Sequence, residues 1–431
     1  MTEISEAPRA GLMAKILALA TARRNEVAGY AKAVSGSAGR LVFSLVYFVA
    51  LANTLSIGDF GLFATASAAG VMLSRIVAFG FISALYRTAT VRPRLIGTFS
   101  AGFIALGLLS LPALAVSSWM VFLLFFWSDI SPFAFALVIV AEAVLWRPAE
   151  VVVIVNNGLG RFGRAALLVI IGTLMRAIAA LLFALLPAAT LGAWCWLYLG
   201  ANAASLAVAV LFFHPRQKLR LRMPLYWRRL PDSLYVAGAE VLFYLQMELD
   251  KLLVLALGGP RLAGIYAIVM RLVDLTAIPI RTFSMMLVQK IMRRRDMLSR
   301  PAARIGIEAG IFSVSTLALV MLALLLHFFP NALGRNVAEA APLVGLVLLV
   351  PGLRNLVEYQ GELLFARGQT LIRAGNLALL AVGKAGLLAW LLATVTDIAQ
   401  LMLWLNAVFA GLYFLSAALT YPAMKLPAKR I

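Results

Sequence analysis

The stretch His214-Pro-Arg-Gln-Lys-Leu-Arg-Leu-Arg-Met-Pro-Leu-Tyr-Trp-Arg-Arg-Leu-Pro-Asp232 decides how this chain is organised. Its basic residues Arg216, Lys218, Arg220, Arg222, Arg228 and Arg229 stand between two long apolar tracts. Charges this dense do not cross a hydrocarbon core, so the stretch is a linker and it divides the chain in two. Each side holds six apolar segments of about 20 residues, the length a core of about 30 Å requires. Working outward, spans are expected near 34–55, 60–86, 95–116, 133–157, 164–187 and 191–213, then 233–257, 262–289, 305–329, 340–366, 372–395 and 399–422. The composition agrees: the 431 residues are 63% hydrophobic and 13% charged. A soluble chain runs near half apolar and a quarter charged.

The expected fold is therefore an all-α polytopic membrane protein, with about 12 transmembrane helices in two six-helix lobes related by pseudo-two-fold symmetry. Its expected parts are a cytoplasmic tail (1–33), an N-terminal lobe (34–213), the basic linker (214–232), a C-terminal lobe (233–422) and a short tail (423–431). Within the first tail, residues 10–24 read as an amphipathic helix lying on the membrane. Residues 1–10 are polar and no small-residue cleavage site follows an apolar core, so no cleavable leader is expected. The stretch 117–132 is too apolar for an ordinary loop and is flanked by Trp119 and Trp127, which suggests an interfacial segment.

Arginines and lysines alternate between the two sides of this arrangement. One side collects the N-terminal tail, Arg87, Arg92 and Arg94, Arg161 and Arg164, the linker, the cluster from Lys290 to Arg304, Arg367 and Arg373, and the C-terminal tail. The other has Arg261 and Arg335 alone. That bias is expected to place both termini in the cytoplasm. It also accounts for the net charge of +20 without nucleic acid as a partner.

Matching features recur across the linker. Gly61-Leu62-Phe63 corresponds to Gly264-Ile265-Tyr266, Arg147 to Arg354, Glu150 to Glu358, Arg161 to Arg367 and Arg176 to Lys384, at offsets of 203 to 208. Such a duplication of six-span units keeps both halves in one orientation, with substrate bound between them near the midplane.

Nine basic residues fall within spans: Arg40, Arg75, Arg147, Arg176, Lys251, Arg271, Arg281, Arg354 and Lys384. A cation at bilayer depth costs roughly 2.5–3.5 kcal/mol on insertion scales, so these must face partners or a wet cavity that receives something negative. Arg271 and Asp274 are close enough in sequence to neutralise each other. Arg75, Arg176, Arg281 and Lys384 have no local partner and are the first candidates for contacting a phosphate. Arg40, Arg147, Arg354 and Lys251 complete the candidate substrate set, Arg40 being near enough to an end to snorkel.

Among the acids, Glu240 and Glu248 share one quadrant of the seventh span with Tyr244 and Lys251, and Glu248 can pair with Lys251. Glu240, Glu248, Asp250 and Glu358 are candidate sites for a coupling H⁺ or Na⁺. Arg354, Glu358 and Glu362 form a stripe along the tenth span, and Glu142, Arg147 and Glu150 a related one in the fourth. Pro279, Pro342 and Pro351 are candidate bend points.

Several features carry no chemistry. Cys195 is the one cysteine, which rules out an internal disulfide or a multi-cysteine metal site. Gly158-Leu159-Gly160-Arg161-Phe162-Gly163 matches a dinucleotide-binding glycine pattern but joins two apolar helices with no strand before it. No metal site, cofactor or nucleotide-binding motif is expected.

Leu55-Ser-Ile-Gly-Asp-Phe-Gly-Leu-Phe-Ala64, with Leu85-Tyr86-Arg87 beyond it, resembles the first two spans of Wzx-type polysaccharide flippases. Asp250-Lys-Leu-Leu-Val-Leu-Ala-Leu-Gly-Gly-Pro-Arg-Leu-Ala-Gly-Ile-Tyr-Ala267, followed by Arg271-Leu272, is similar to that family's second half, and Leu364-Phe-Ala-Arg-Gly-Gln369 to its turn after the tenth span. The motif likeness covers about a quarter of the chain. The resemblance implies membership of the multidrug/oligosaccharidyl-lipid/polysaccharide (MOP) exporter superfamily, twelve helices around a cationic central cavity, and no enzymatic activity. The implied cargo is an undecaprenyl-pyrophosphate-linked oligosaccharide repeat unit, flipped for exopolysaccharide, capsule or O-antigen assembly, with membrane lipids and the polysaccharide polymerase and chain-length machinery as partners. A cation-coupled multidrug antiporter of the same superfamily is the alternative within transport, although an excess of intramembrane cations disfavours it. A membrane glycan polymerase or ligase is the alternative among enzymes, disfavoured by outer loops too short to hold catalytic groups.

Overall fold

The computed structural model describes residues 39–293 and 301–426, apart from side chains in a stretch that includes Pro279 and Arg281. The amphipathic segment expected at 10–24, the cytoplasmic tail containing it and the end of the C-terminal tail lie outside the described residues. The described chain is helical and runs back and forth in twelve helical passes. We number the passes α1 (Gly39–Thr54), α2 (Ile57–Gly80, continued by Ile82–Val91), α3 (Ile96–Phe125), α4 (132–158), α5 (Phe162–Ala184) and α6 (Leu191–Phe213). The second half comprises α7 (223–258), α8 (260–293), α9 (Pro301–Phe328), α10 (Arg335–Val347 and Val350–Ala366), α11 (Thr370–Thr394) and α12 (Ile398–Ala423). Hydropathy alone recognises eight of these stretches, or nine with the bent α10. The other passes are the short α1, the charge-bearing α4, and the division of one long helix at Gly259, whose φ of 76° turns α7 into α8. Only glycine adopts that conformation without strain.

Three local expectations change, and one is met. Residues 117–125 continue α3 as helix, and the turn falls at 126–131 with Trp127 exposed. The linker is extended only to Arg222, and α7 starts at Met223, ten residues early. The second span is broken: Ala78 and Phe79 take φ of 55° and 49° ahead of Gly80 at 72°. The amide of Ala78, left without a helical acceptor, donates to the buried Ser110 Oγ at 2.9 Å. The tenth span bends by 66° between Pro342 and Pro351, which realises two of the three expected bend points.

The internal repeat is visible in packing. The third pass of each half is mostly lipid-facing, with 17% of the apolar window of α3 and 22% of that of α9 buried. Gly61 and Gly264, matched across the repeat, pack against one another, and a β-carbon on either would run into the partner helix's backbone. At the same end, Asn336 donates from Nδ2 to the carbonyls of Ala52 (2.7 Å) and Leu55 (2.8 Å). Asn53 accepts from the Asn336 amide at 3.1 Å and donates to the Leu333 carbonyl at 2.8 Å. These bonds satisfy the end of α1 with groups from the opposite lobe, sealing the lobes at the end whose loops are poor in charge. Asn336→Ala would orphan two carbonyls, at about 1–3 kcal/mol of unmet desolvation. The expected result is at least ~5-fold faster reaction of an Ala64→Cys thiol with a membrane-impermeant reagent supplied from that side.

The linker is fastened to α3 at the opposite end. Gln217 accepts from the Gly97 amide at 2.9 Å and donates to the Pro93 carbonyl at 2.9 Å, while the Tyr226 hydroxyl donates to the Thr98 carbonyl at 2.7 Å. His214 Nε2 lies 3.2 Å from Ser100 Oγ, and burial holds its pKa below the usual 6.5. A depressed histidine stabilises the fold above its unfolded pKa and loses that contribution as pH falls below it. Stability is expected to drop between pH 7 and pH 5, and His214→Gln should flatten that part of a melting-temperature profile.

Candidate functional site

The lobes part at the arginine-rich end, where they enclose a cavity of about 920 Å³. Its head is a layer of four charges. Arg75 from α2 donates to Glu150 of α4 at 3.1 Å. Arg147 of α4 donates to Glu150 at 2.6 Å and to Glu240 of α7 at 2.8 Å, and Arg75 lies 3.9 Å from Glu240. The guanidinium of Arg75 also stands over the Tyr244 ring, 4.1 Å from its centroid. Glu240 and Tyr244 come from the C-terminal half and the other three charges from the N-terminal half, so this layer ties the lobes together. The arginines are sealed, at 6% and 2% side-chain exposure, whereas Glu150 and Glu240 show 28% and 34% to the cavity. Lower in the cavity Arg373 pairs with Glu362 at 2.7 Å between Phe243 and Phe365.

Toward the sealed end is a chamber of about 250 Å³. Its N-lobe wall centres on Glu142, which sits in a π-helical turn of α4 (Val140–Trp146). Such turns re-aim side chains and are frequent at functional sites. Glu142 accepts from Ser67 at 2.6 Å and from the Tyr198 hydroxyl, and stands 3.6 Å from Arg176. Arg176 forks onto Asn202 Oδ1 at 2.7 and 3.1 Å and stacks on Trp146, 4.1 Å from the ring centroid. The C-lobe wall carries the pair Glu248–Lys251 at 2.5 Å, as the sequence spacing anticipates, together with Arg271 and Asp274.

These contacts revise the pairing expected from sequence. Arg75, Arg176 and Lys384 are not without partners; their carboxylates come from other helices. Lys384 lines neither chamber. It is buried on α11, 2.9 Å from Asp250, and donates to the carbonyl of Gln246 at 2.9 Å. Tyr266 donates to the other oxygen of Asp250 at 2.5 Å. Asp274 pairs with Arg354 at 3.3 Å rather than with Arg271, which donates to Ser44 at 2.5 Å. Glu358 lies 3.9 Å from Arg354, on the same face of α10. Arg40 is exposed at the start of α1, and the Arg281 side chain lies outside the described residues. Among the described residues the inner cavity is not cationic, as three arginines meet four acids, Glu150, Asp232, Glu240 and Glu362. In the outer chamber Arg176, Lys251 and Arg271 meet Glu142, Glu248 and Asp274.

Sequence reasoning placed Glu142 only in a charged stripe and Tyr244 only on the charged face of the seventh span, and it missed Ser67, Trp146, Tyr198 and Asn202. The four-residue step from Trp194 through Tyr198 to Asn202 was the available signal, since it puts polar groups on one face of an apolar helix. Among the described residues no cluster of His, Cys, Asp and Glu is arranged to hold a metal ion.

The described helices form two lobes around inter-lobe chambers. No protein-family model and no curated protein sequence matches the chain. Solved structures do. The inward-facing conformation of a multidrug resistance MATE family transporter of the MOP superfamily aligns with a TM-score of 0.64 at 15% identity, over 90% of this chain and 93% of that one. A MOP superfamily transporter from Pyrococcus furiosus, described as having a binding pocket of reverse polarity that suggests a different function, aligns with a TM-score of 0.62 at 14% identity, over 92% and 95%. A MATE structure in complex with MaD3S gives 0.60 at 14%, over 90% and 94%. At these identities the likeness establishes the fold.

Proposed function

We propose that the protein is an alternating-access transporter that flips a polyprenyl-diphosphate-linked oligosaccharide from the cytoplasmic to the outer leaflet. The layer formed by Arg75, Arg147, Glu150 and Glu240 carries the reading. It presents two forked guanidiniums whose acid partners are half-open to the cavity. A diphosphate entering there competes with Glu240 for both arginines, and charge-assisted forks favour phosphate oxygens. Displacing Glu240 removes a tie between the lobes at the same moment, so binding and unlocking are one event. The polyprenyl tail stays in lipid while the head group crosses. Glu240 faces the cavity and is the best placed of the acids to take up a coupling H⁺ when it leaves Arg147. Asp250, Glu248 and Glu358 are less open, at 2%, 18% and 18% side-chain exposure against 34% for Glu240, and are worse placed. The motif likeness to polysaccharide flippases supports the same cargo.

A second reading, a cation-coupled multidrug antiporter, is favoured by the excess of acids in the inner cavity and its aromatic walls of Tyr235, Phe243, Tyr244 and Phe365. Deleting the gene and assigning the leaflet of lipid-linked oligosaccharides with an external glycan-modifying enzyme separates the readings. Flipping predicts complete repeat units trapped in the inner leaflet. Complete units in the outer leaflet, unpolymerised, would point to an enzyme, and unchanged lipids to drug export.

A further inference from the structure

A second groove, of about 700 Å³, lies outside both chambers. It runs between the end of α2, the start of α3 and the first turns of α7. Its rim carries Arg87, Arg92 and Arg229, all exposed and all without an acid partner among the described residues. Its floor is apolar and includes Ala84, Val91, Leu95 and Phe99. Val91 and Leu95 remain 68% and 37% exposed, a costly display on a folded helix end unless something apolar covers them. Trp227 and Tyr235, at 50% and 49% exposure on the same turns of α7, mark the level of the bilayer interface.

We propose that this groove holds one anionic phospholipid of the surrounding bilayer, its phosphate among Arg87, Arg92 and Arg229 and an acyl chain along the apolar floor. Two features select that occupant. Three guanidiniums above an apolar trough match a charged head on a greasy tail, and neither a soluble anion nor a protein segment needs both. Asp232 and Val236 line this groove and the inner cavity alike, so a carboxylate stands on the shared lip. That charge repels a phosphate from passing inward and makes the groove a resting place. A lipid there joins Arg87 and Arg92 of the N-terminal half to Arg229 beside the C-terminal half, closing the seam from the membrane side.

The test is to titrate the purified full-length protein in uncharged detergent with phosphatidylglycerol or phosphatidylcholine and count bound lipids by native mass spectrometry, with melting temperature measured in parallel. One phosphatidylglycerol should bind in preference to phosphatidylcholine and raise the melting temperature. Each single arginine-to-alanine change should weaken that binding about five-fold, and R87A/R92A/R229A together on the order of 100-fold. The control R161A/R164A, on another basic loop, should bind as wild type. Equal binding of phosphatidylcholine, undiminished binding by the groove variants, equal loss in the control, or the same thermal shift with inorganic phosphate alone would each overturn the proposal. The single variants and the charge-conserving R87K/R92K/R229K keep the test informative if the triple alanine variant fails to fold.

Discussion

Lys384→Met is expected to unfold the C-terminal lobe at markedly lower temperature than wild type, by about 3–5 kcal/mol of stability, because it strands the carboxylate of Asp250 in the protein interior. Both side chains of the pair are at most 3% exposed, and their separation is 2.9 Å. The Tyr266 hydroxyl would remain as a neutral donor to Asp250. Asp250→Asn should do comparable damage by leaving the Lys384 ammonium with backbone carbonyls alone. The double variant D250N/K384M should recover most of the loss, since no uncompensated charge is left; replacing a whole buried pair is often close to neutral. Thermal unfolding of the three variants in one detergent reads this directly. A Lys384 that contacted cargo would behave differently, with wild-type melting in K384M and loss of transport in both K384M and the double variant.

Arg147→Ala is the second large effect, on activity. It removes the donor that spans Glu150 at 2.6 Å and Glu240 at 2.8 Å, and it leaves both carboxylates to Arg75. Transport should fall on the order of 100-fold through loss of a forked phosphate contact of about 1.5–3 kcal/mol. Arg147→Lys should restore only part of it, because an ammonium is a point charge that cannot hold two oxygens in a fixed plane. Glu240→Gln tests the other half of the arrangement. It keeps both arginines and weakens the tie between lobes, so diphosphate binding should tighten while the acid-dependent part of the transport rate disappears. Unchanged transport in R147A, with normal insertion, would remove the charged layer from the mechanism.

The architecture was legible because it is written in periods longer than a helix. Twenty-residue apolar runs, a basic linker and alternating loop charge fix twelve passes and two halves, and the duplicated Gly61 and Gly264 mark where the halves touch. The break in α2 was not legible, since Val77, Ala78 and Phe79 carry no turn chemistry; the unwound amide is satisfied by Ser110, thirty-two residues away. Nor was the early start of α7, whose first turn is fastened through Tyr226 to α3. The site was half legible. Which helices carry charge can be read from the chain, and the i,i+3 pair of Glu248 and Lys251 followed from spacing. Partners on different helices cannot be read that way. Arg75 with Glu150, Arg176 with Glu142 and Lys384 with Asp250 are separated by 75, 34 and 134 residues and meet only through helix packing. Among the described residues, the same packing turns an apparent surplus of buried cations into chambers where acids match or exceed them.

The measurement closest to the central claim is leaflet transfer in proteoliposomes containing the purified protein and a fluorescent polyprenyl-diphosphate-linked oligosaccharide, with transfer read as protection from a reducing quencher added outside. The account expects protein-dependent transfer that is abolished in R147A and competed by a soluble diphosphate-bearing head group. Transfer no faster than in empty vesicles, alongside protein-dependent uptake of a cationic dye driven by a proton gradient, would contradict it.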